Sequence, residues 1–170
     1  ADFSALVVVG IDSENQYYVL DIFRFKTNDI KGYFDAILES YRKWGYRKIR
    51  CETTTAQAVI VRDLKDNYIV PHNLSLVVDE FHPTRNEGTK EERIDATLKP
   101  KYSNHQVWHY KGGEINLLEE ELVMAKPPHD DIKDGLTAAI DICVAPMRKR
   151  ASHQPKTNIV HGRFGGVAFR

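Results

Sequence analysis

Cysteine is scarce in this 170-residue chain, which has only two, Cys51 and Cys143. Two cysteines are too few for a disulfide framework or a cysteine-based zinc site. We therefore expect a reduced, cytosolic setting, with both thiols buried as small apolar side chains. No apolar run approaches the length of a membrane span, and the first residues lack the layout of a signal peptide. These absences predict a globular protein that is neither secreted nor inserted in a membrane.

The sequence also lacks the G-x-x-x-x-G-K-[ST] motif that binds the phosphates of ATP, so we expect no ATP hydrolysis by these residues. Formal net charge is zero but unevenly spread: residues 147–170 hold six basic residues and no acid, which leaves a net charge of −6 in residues 1–146. This asymmetry predicts a domain over 1–146 with a cation site and a basic extension over 147–170. The extension would contact a polyanion or a partner, or would be a solvated, disordered end.

Periodicity divides residues 1–146 into alternating strands and helices. Two strands joined by a tight turn come first, and strands and helices then alternate, which predicts an α/β fold whose mixed sheet has an antiparallel hairpin followed by parallel strands, with helices on both faces. Strands are predicted at 5–12, 16–26, 47–53, 74–81 and 105–111, and helices at 29–44, 55–68, 89–100, 115–126 and 131–144. Pro146 would stop the last helix.

Carboxylates cluster before the last predicted helix, in the stretch PPHDDIKDGLTAAID. Asp130 or Asp131 alone would be explained as a helix N-cap, which accepts hydrogen bonds from backbone N–H groups. Two adjacent carboxylates repel each other unless a cation lies near them, and Asp134 adds a third acid on the face of Asp131. Gly135 behind them would let the helix lie close to the sheet.

Glu52 ends the predicted strand RKIRCET, at the sheet edge where open α/β sheets place their sites. Successive side chains of a strand point to opposite faces, so a buried Cys51 turns Glu52 the other way. A carboxylate in this position is either paired with an arginine, such as Arg50 or Arg62, or holds a metal ion.

Asp2 and Asp12 flank the first predicted strand. Asp12 is most simply a turn residue, whereas Asp2 precedes the strand and could reach the same end of the sheet as Glu52. Carboxylates from separate elements select a hard cation, Mg²⁺ or Mn²⁺. Two such ions roughly 4 Å apart can activate a water and stabilise the leaving oxygen in phosphodiester cleavage. His129 would carry a proton or be incidental.

Four stretches together resemble the nuclease domain of the large terminase subunits of tailed bacteriophages: ADFSALVVVGID with YYVLDIFRFK, IRCETTTAQ, GTKEERIDATLKPKYSNHQVWH and PPHDDIKDGLTAAI. They cover most of residues 1–145. The resemblance implies a ribonuclease-H-like fold and a metal-dependent endonuclease that cleaves double-stranded viral DNA during genome packaging in the host cytoplasm. The implied partners are double-stranded DNA, an ATPase domain upstream, the portal protein and the small terminase subunit, without a membrane.

The resemblance also implies roles for individual acids. Glu52 and Asp131 would be catalytic residues that bind the Mg²⁺ or Mn²⁺ ions, with Asp130 beside them as a further ligand, and Asp2 would take an accessory part in catalysis. The family carries its first metal aspartate on a strand upstream of the segment that matches ADFSA. That ligand would therefore lie before Ala1, or Asp2 or Asp12 would replace it.

Lys90 and Arg93, in the stretch KEER, match the family's basic segment near the site. The resemblance implies that they contact DNA phosphates, and the alternative is a solvated helix face. Holliday-junction resolvases and transposases share the fold and the acidic site, so a nuclease of that kind is a second interpretation. A third is a non-catalytic module, in which the acids are caps and ion pairs and the basic extension docks a portal or capsid protein.

Overall fold

The structure is a computed structural model that describes residues 3–27, 29–52, 58–84, 88–124 and 126–147. These residues form an α/β fold with a mixed sheet, as the sequence predicts, but the third and fourth strands form a separate two-stranded sheet instead of continuing the first one. Asp2 and residues 148–170 lie outside the described ranges, so the predictions of an accessory acid at Asp2 and of a basic extension are not tested.

An antiparallel hairpin opens the fold. Strand β1 (Ser4–Ile11) pairs with β2 (Tyr17–Phe25) along its whole length. Asp12 shapes the turn between them, because its carboxylate accepts hydrogen bonds from the backbone N–H groups of Glu14 and Gln16, at 2.8 and 3.0 Å. The predicted role of Asp12 as a turn residue is confirmed.

Helix α1 (Ile30–Trp44) follows the hairpin, begins one residue later than predicted and ends at the predicted residue. Asp29 is its N-cap, since its side chain accepts a hydrogen bond from the backbone N–H of Gly32. Gly45 ends the helix in the left-handed conformation, with φ of 60°, and its N–H donates to the carbonyl oxygen of Tyr41.

A parallel strand pair comes next. Strand β3 (Lys48–Glu52) pairs with β4 (Val77–Phe81), and Glu52 and Phe81 are the last residues of the two strands. Helix α2 (Ala58–Asp63) and the π-helical segment Leu64–Ile69 connect them. Because both strands end at the same edge, Glu52 lies at the carboxyl end of a parallel pair, as predicted.

Helix α3 (Lys90–Ser103) begins with the predicted capping box, in which Thr89 and Glu92 exchange side-chain to backbone hydrogen bonds. It continues three residues beyond the predicted end. Pro100 removes only one backbone donor from the last turn, and that turn is kept because the N–H of Asn104 donates to the carbonyl oxygen of Pro100.

Strand β5 (Val107–Trp108) is much shorter than predicted and pairs in parallel with β2. Helix α4 (Ile115–Val123) follows, and the last helix, α5, spans Asp131–Asp141. The expectation that Pro146 stops this helix is wrong, since α5 ends five residues earlier. Its last residue, Asp141, lies 3.6 Å from Arg50 and accepts a hydrogen bond from Thr97, so tertiary contacts hold this end.

Two apolar cores lie on opposite sides of β1. The first lies between the hairpin and helices α3, α4 and α5, and the second lies between β3, α1 and the π-helical segment. Val7 of β1 belongs to the first core and Leu6 packs against the second, so β1 is covered on both faces. The buried members are Val7, Val19, Ile22, Ile94, Leu98, Ile115, Leu118, Ile132, Leu136 and Ile140 in the first, and Phe34, Ile37, Ile49, Leu64, Ile69 and Leu76 in the second.

A groove separates β1 from β3. Within the described ranges β1 pairs only with β2, and β3 pairs only with β4, so one edge of each strand is unpaired. The space between these edges holds two cavities of about 390 and 620 Å³, both lined in part by α5. We call this space the β1–β3 groove; Ser4 and Glu52 mark one end of it, and Ile11 and Tyr46 mark the other.

Candidate functional site

Three carboxylates line one end of the β1–β3 groove. Glu52 is the last residue of β3, Asp131 is the first residue of α5, and Asp134 follows one turn later. All three line the cavity of about 390 Å³. The structure thus brings Glu52 and Asp131 to one groove although 79 positions separate them in the sequence.

Helix α5 lies close to the sheet because its second turn is small. A Cβ atom added to Gly135 would lie 2.9 Å from Val7 Cγ2 and 3.7 Å from the carbonyl oxygen of Ala5. Only glycine therefore permits this approach without a shift of the Val7 side chain or of the helix. The predicted close packing of α5 is confirmed, and it sets the first turn of the helix beside the end of β3.

The N-terminus of α5 is capped from another helix. Asp130 stands at the N-cap position but makes no capping hydrogen bond. Glu121 of α4, only 5% exposed, accepts a hydrogen bond from the backbone N–H of Lys133 at 2.7 Å. The capping explanation of Asp130 is therefore wrong, and its carboxylate is left for other contacts.

Sequence reasoning missed Glu121, although a signal was present. Glu121 follows Leu118 by three residues and Ile115 by six, which places it on the buried face of α4 with these two residues. A glutamate on such a face needs a buried donor, and the unpaired N–H groups at the start of α5 supply it.

Lys90 bridges two of the acids at the start of α5. Its Nζ atom lies 3.0 Å from Asp130 Oδ2 and 3.4 Å from Asp134 Oδ2. Lys90 is the first residue of α3, so the capping box of this helix also fixes the backbone position of the lysine. The sequence predicted that Lys90 would contact either DNA phosphates or solvent, whereas the structure pairs it with carboxylates.

Arg93, one turn further along α3, faces Glu52. Its Nη2 atom lies 3.5 Å from Glu52 Oε1, and its guanidinium lies over the ring of Phe81 at 5.6 Å. The arginines proposed as partners of Glu52 are paired elsewhere, Arg50 with Asp79 and Asp141, and Arg62 with Asp66. Glu52 does have an arginine partner, but the helix that supplies it was not foreseen.

Two of the groove carboxyls bind a proton more readily than usual. Burial raises the pKa of Glu52, and the charge of Asp134 raises it further, against the opposing effects of Arg93 and Lys90. Burial likewise raises the pKa of Asp134, and Lys90 opposes this without cancelling it. A carboxyl pKa raised by burial and by a like charge is common in catalytic and metal sites. Lys90 and Arg93 therefore neutralise the site only in part.

Asp12 does not reach the end of the groove that holds the acids. It follows the last residue of β1, whereas Ser4 at the start of that strand lines the cavity with Glu52. Eight residues of strand separate the two ends by about 26 Å. Replacement of the family's first metal aspartate by Asp12 is therefore wrong, and Asp2 lies outside the described residues.

The groove acids offer the oxygen ligands that a hard divalent cation prefers, but their positions do not form a full ligand set. Glu52, Asp131 and Asp134 supply only oxygen, which Mg²⁺ and Mn²⁺ prefer. Across the described ranges, no three His, Cys, Asp or Glu side chains are gathered closely enough to hold an ion. Mg²⁺ commonly keeps several waters and binds one or two protein carboxylates, so the groove acids fit such an ion as part of its ligand set.

His105 and His109 lie four residues apart, a spacing that can ligate zinc on a helix. They flank β5 instead of sharing a helix, and His109 contacts the Tyr102 hydroxyl at 2.7 Å and Glu119 at 3.0 Å. His129 packs its ring edge-on against Phe3. These contacts give His109 and His129 structural partners outside the set of groove acids.

The sequence predicted that both cysteines would be buried, but the structure shows both to be half-buried. Burial raises the pKa of each thiol, Cys51 and Cys143, to about 11. The thiols are therefore protonated at neutral pH, and neither is an activated nucleophile.

Among the helices that the structure describes, none is both long enough and apolar enough to span a bilayer. No protein-family model matches the chain, and no curated protein sequence matches it.

Proposed function

We propose that this chain is the nuclease domain of a bacteriophage large terminase subunit, a metal-dependent endonuclease of the ribonuclease-H-like fold that cuts double-stranded viral DNA. One observation carries the proposal. Glu52 at the carboxyl end of β3 and the two aspartates of the first turn of α5 line one groove, and burial raises the pKa of two of these three acids. This arrangement suits a cation-assisted reaction on a phosphodiester.

In this proposal Glu52, Asp131 and Asp134 hold Mg²⁺ or Mn²⁺, with Asp130 beside them. Two bound ions would supply an activated water and charge stabilisation for the leaving oxygen. The residues of the chain would bind and orient the ions. The end of β3 presents Glu52, and the first turn of α5 presents the aspartates because Glu121 caps this helix in their place. Asp134, the third acid on the face of Asp131, joins the set because it lines the same cavity as Glu52 and Asp131.

The β1–β3 groove supports the resemblance to the terminase family. Ser4 lies at the Glu52 end of the groove and Ile11 at the Tyr46 end, so β1 runs antiparallel to β3. A strand joined to β1 by a hairpin would run antiparallel to β1 and parallel to β3, between their unpaired edges. The resemblance implies such a strand upstream, carrying the first metal aspartate, and its end would lie beside Glu52.

Lys90 and Arg93 give this site a basic rim on the α3 side. Contacts from lysine and arginine to phosphate are independent of base sequence and weaken with salt. We therefore propose binding to the DNA backbone with little sequence preference. For Lys90 to contact phosphate, its ion pairs with Asp130 and Asp134 must open. The guanidinium of Arg93 has five N–H donors, so it can contact phosphate while it stays paired with Glu52.

A non-catalytic docking module is the second candidate, and a specific observation favours it. Three of the four acids near the groove already have basic partners, and within the described ranges no three acidic side chains lie close enough together to hold an ion. In that case the acids are ion pairs that tie α3 to α5 and β3. A resolvase or transposase remains an alternative of the same fold and differs in cutting branched DNA or transferring strands.

Cleavage of supercoiled plasmid in Mn²⁺ tests the proposal. We expect nicked, linear and shorter products from the wild type, and loss of all cutting with a chelator. Glu52→Gln and Asp134→Asn should lower the rate by about a hundredfold or more, since even outer partners of metal ligands are worth 10–100-fold. Asp35→Asn is the matched control, because Asp35 is an exposed acid on α1, ion-paired with Lys31, and should cut like wild type.

The alternatives predict other results. Equal cutting by wild type, Glu52→Gln and Asp134→Asn would assign the activity to a contaminant and leave the docking module. Cleavage of a four-way junction at low enzyme, with linear duplex untouched, would favour a resolvase. Linear duplex cut as readily as the junction is the result expected of a terminase nuclease.

A further inference from the structure

The geometry points to a second role for the first turn of α3: Lys90 occupies a cation position of the acidic site and competes with a divalent ion for the same carboxylates. This inference rests on the proposed function and extends it to the regulation of that site. Lys90 would be a positioning residue that holds the site together without metal and turns to DNA phosphate once the ion binds.

The ion pairs of Lys90 involve the atoms that a metal would need. Nζ lies 3.0 Å from Asp130 Oδ2 and 3.4 Å from Asp134 Oδ2, so one ammonium group bridges two carboxylates as a metal ion would. A divalent ion bound to Asp134 would bring two further positive charges close to Nζ. Like charges at this separation repel, and the ammonium would have to leave.

Lys90 is able to leave because of where it lies. Its side chain is 37% exposed, and those of Asp130 and Asp134 are 42% and 27% exposed, so the pairs are partly open to water. Exposed ion pairs are each worth little, commonly less than a factor of five in an equilibrium constant. A four-carbon stem anchored at the first residue of a capped helix can turn without unfolding that helix.

Arg93 is the second basic group at the site, and it is held more firmly. Its side chain is only 18% exposed and stacks over Phe81, while its contact with Glu52 is long, at 3.5 Å. We therefore assign the exchange between carboxylate and phosphate to Lys90, and Arg93 keeps Glu52 in place in both states.

Direct Mn²⁺ binding to the 170-residue chain, measured by calorimetry without DNA, tests the competition. Lys90→Gln should bind Mn²⁺ three- to tenfold more tightly than wild type, because two weak ion pairs no longer oppose the ion. Lys90→Arg should restore the wild-type affinity. Lys99→Gln is the matched control: Lys99 lies on the same helix in an exposed pair with Asp95, and its removal should leave the affinity unchanged.

DNA binding provides the second measurement. With Ca²⁺, an oxygen-seeking ion, present in place of Mn²⁺, Lys90→Gln should weaken binding to a linear duplex and reduce the slope of affinity against salt by about one. Without any divalent ion the same variant should bind DNA like wild type, because Lys90 is then paired with Asp130 and Asp134.

The outcomes separate this inference from the proposed function. Absence of Mn²⁺ binding by wild type and by Lys90→Gln alike would overturn the metal site itself. Mn²⁺ binding by wild type with equal or weaker binding by Lys90→Gln would overturn the competition alone. A loss of DNA affinity in Lys90→Gln that is the same with and without Ca²⁺ would also contradict it, since Lys90 would then contact phosphate independently of the ion.

Discussion

Replacement of Glu121 tests whether the acids at the start of α5 are reserved for function. Glu121→Ala removes the acceptor for the N–H of Lys133 and leaves that partly buried donor without its partner at the helix N-terminus. Loss of a helix cap costs about 0.5–2 kcal/mol, and loss of a hydrogen bond to a charged group costs about 1.5–3 kcal/mol. These describe the same contact and do not add. We expect the free energy of unfolding to fall by about 2–3 kcal/mol.

Two control variants separate the loss of the cap from the effect of removing any acidic side chain near the start of α5. Glu120→Ala changes the exposed neighbour of Glu121 and should stay within about 0.5 kcal/mol of wild type. Asp130→Asn should cost less than about 1 kcal/mol, because Asp130 makes no capping bond and loses only its exposed ion pair with Lys90. Glu121→Gln keeps an acceptor oxygen and should lie between wild type and Glu121→Ala.

Urea unfolding followed by circular dichroism gives these values, and the pH dependence adds a check. Burial raises the pKa of Glu121, so its carboxyl holds a proton more tightly in the folded than in the unfolded chain. Its contribution to stability is therefore greatest at low pH and falls as pH rises from the unfolded value, about 4.3, through the raised folded value. Glu121→Gln should lose this part of the slope. If Asp130→Asn destabilised the protein as much as Glu121→Ala, the assignment of the cap would be refuted.

Further results are expected at three residues, Asp134, Gly135 and Cys51. The pKa of Asp134 is raised, so Asp134→Asn should become more stable relative to wild type as pH rises above about 4, and the pKa of Glu52, followed by NMR, should fall when the charge of Asp134 is removed. An unchanged Glu52 titration would show that the two carboxyls do not interact. Gly135→Ala should lower the free energy of unfolding by about 1 kcal/mol, since overpacking against Val7 outweighs the helical gain of alanine. Val7→Ala in the same chain should reverse that cost, and additive effects would count against the contact. Cys51, with its pKa raised to about 11, should react with a thiol reagent at pH 8 far more slowly than in the urea-unfolded chain, and rapid reaction of the folded protein would contradict the raised pKa.

Local patterns in the sequence determined much of the fold. Helix α1 has the predicted limits to within one residue because Asp29 and Gly45 act on the backbone within four residues of themselves. The capping box of Thr89 and Glu92 and the turn at Asp12 are equally local, and both are confirmed. These features need no knowledge of the rest of the chain.

Features that depend on distant partners were less well predicted. The strand predicted over 105–111 covers only Val107–Trp108 in the structure, because only these two residues pair with β2. The last helix ends at Asp141, where Arg50 and Thr97 contact its carboxylate, and not where Pro146 would stop it. Pairing between elements far apart in sequence leaves little trace in local periodicity.

The residue types at the candidate site were visible in the sequence, and their partners were not. An acid pair before a helix and an acid at a strand end indicated Glu52 and Asp131, since both signals are local. Only the tertiary structure decided that Glu121 caps α5, that α3 brings Lys90 and Arg93 against the acids, and that β1 and β3 stand apart. The reason is physical: ion pairs, buried caps and strand neighbours depend on distances in space, which chain order does not encode.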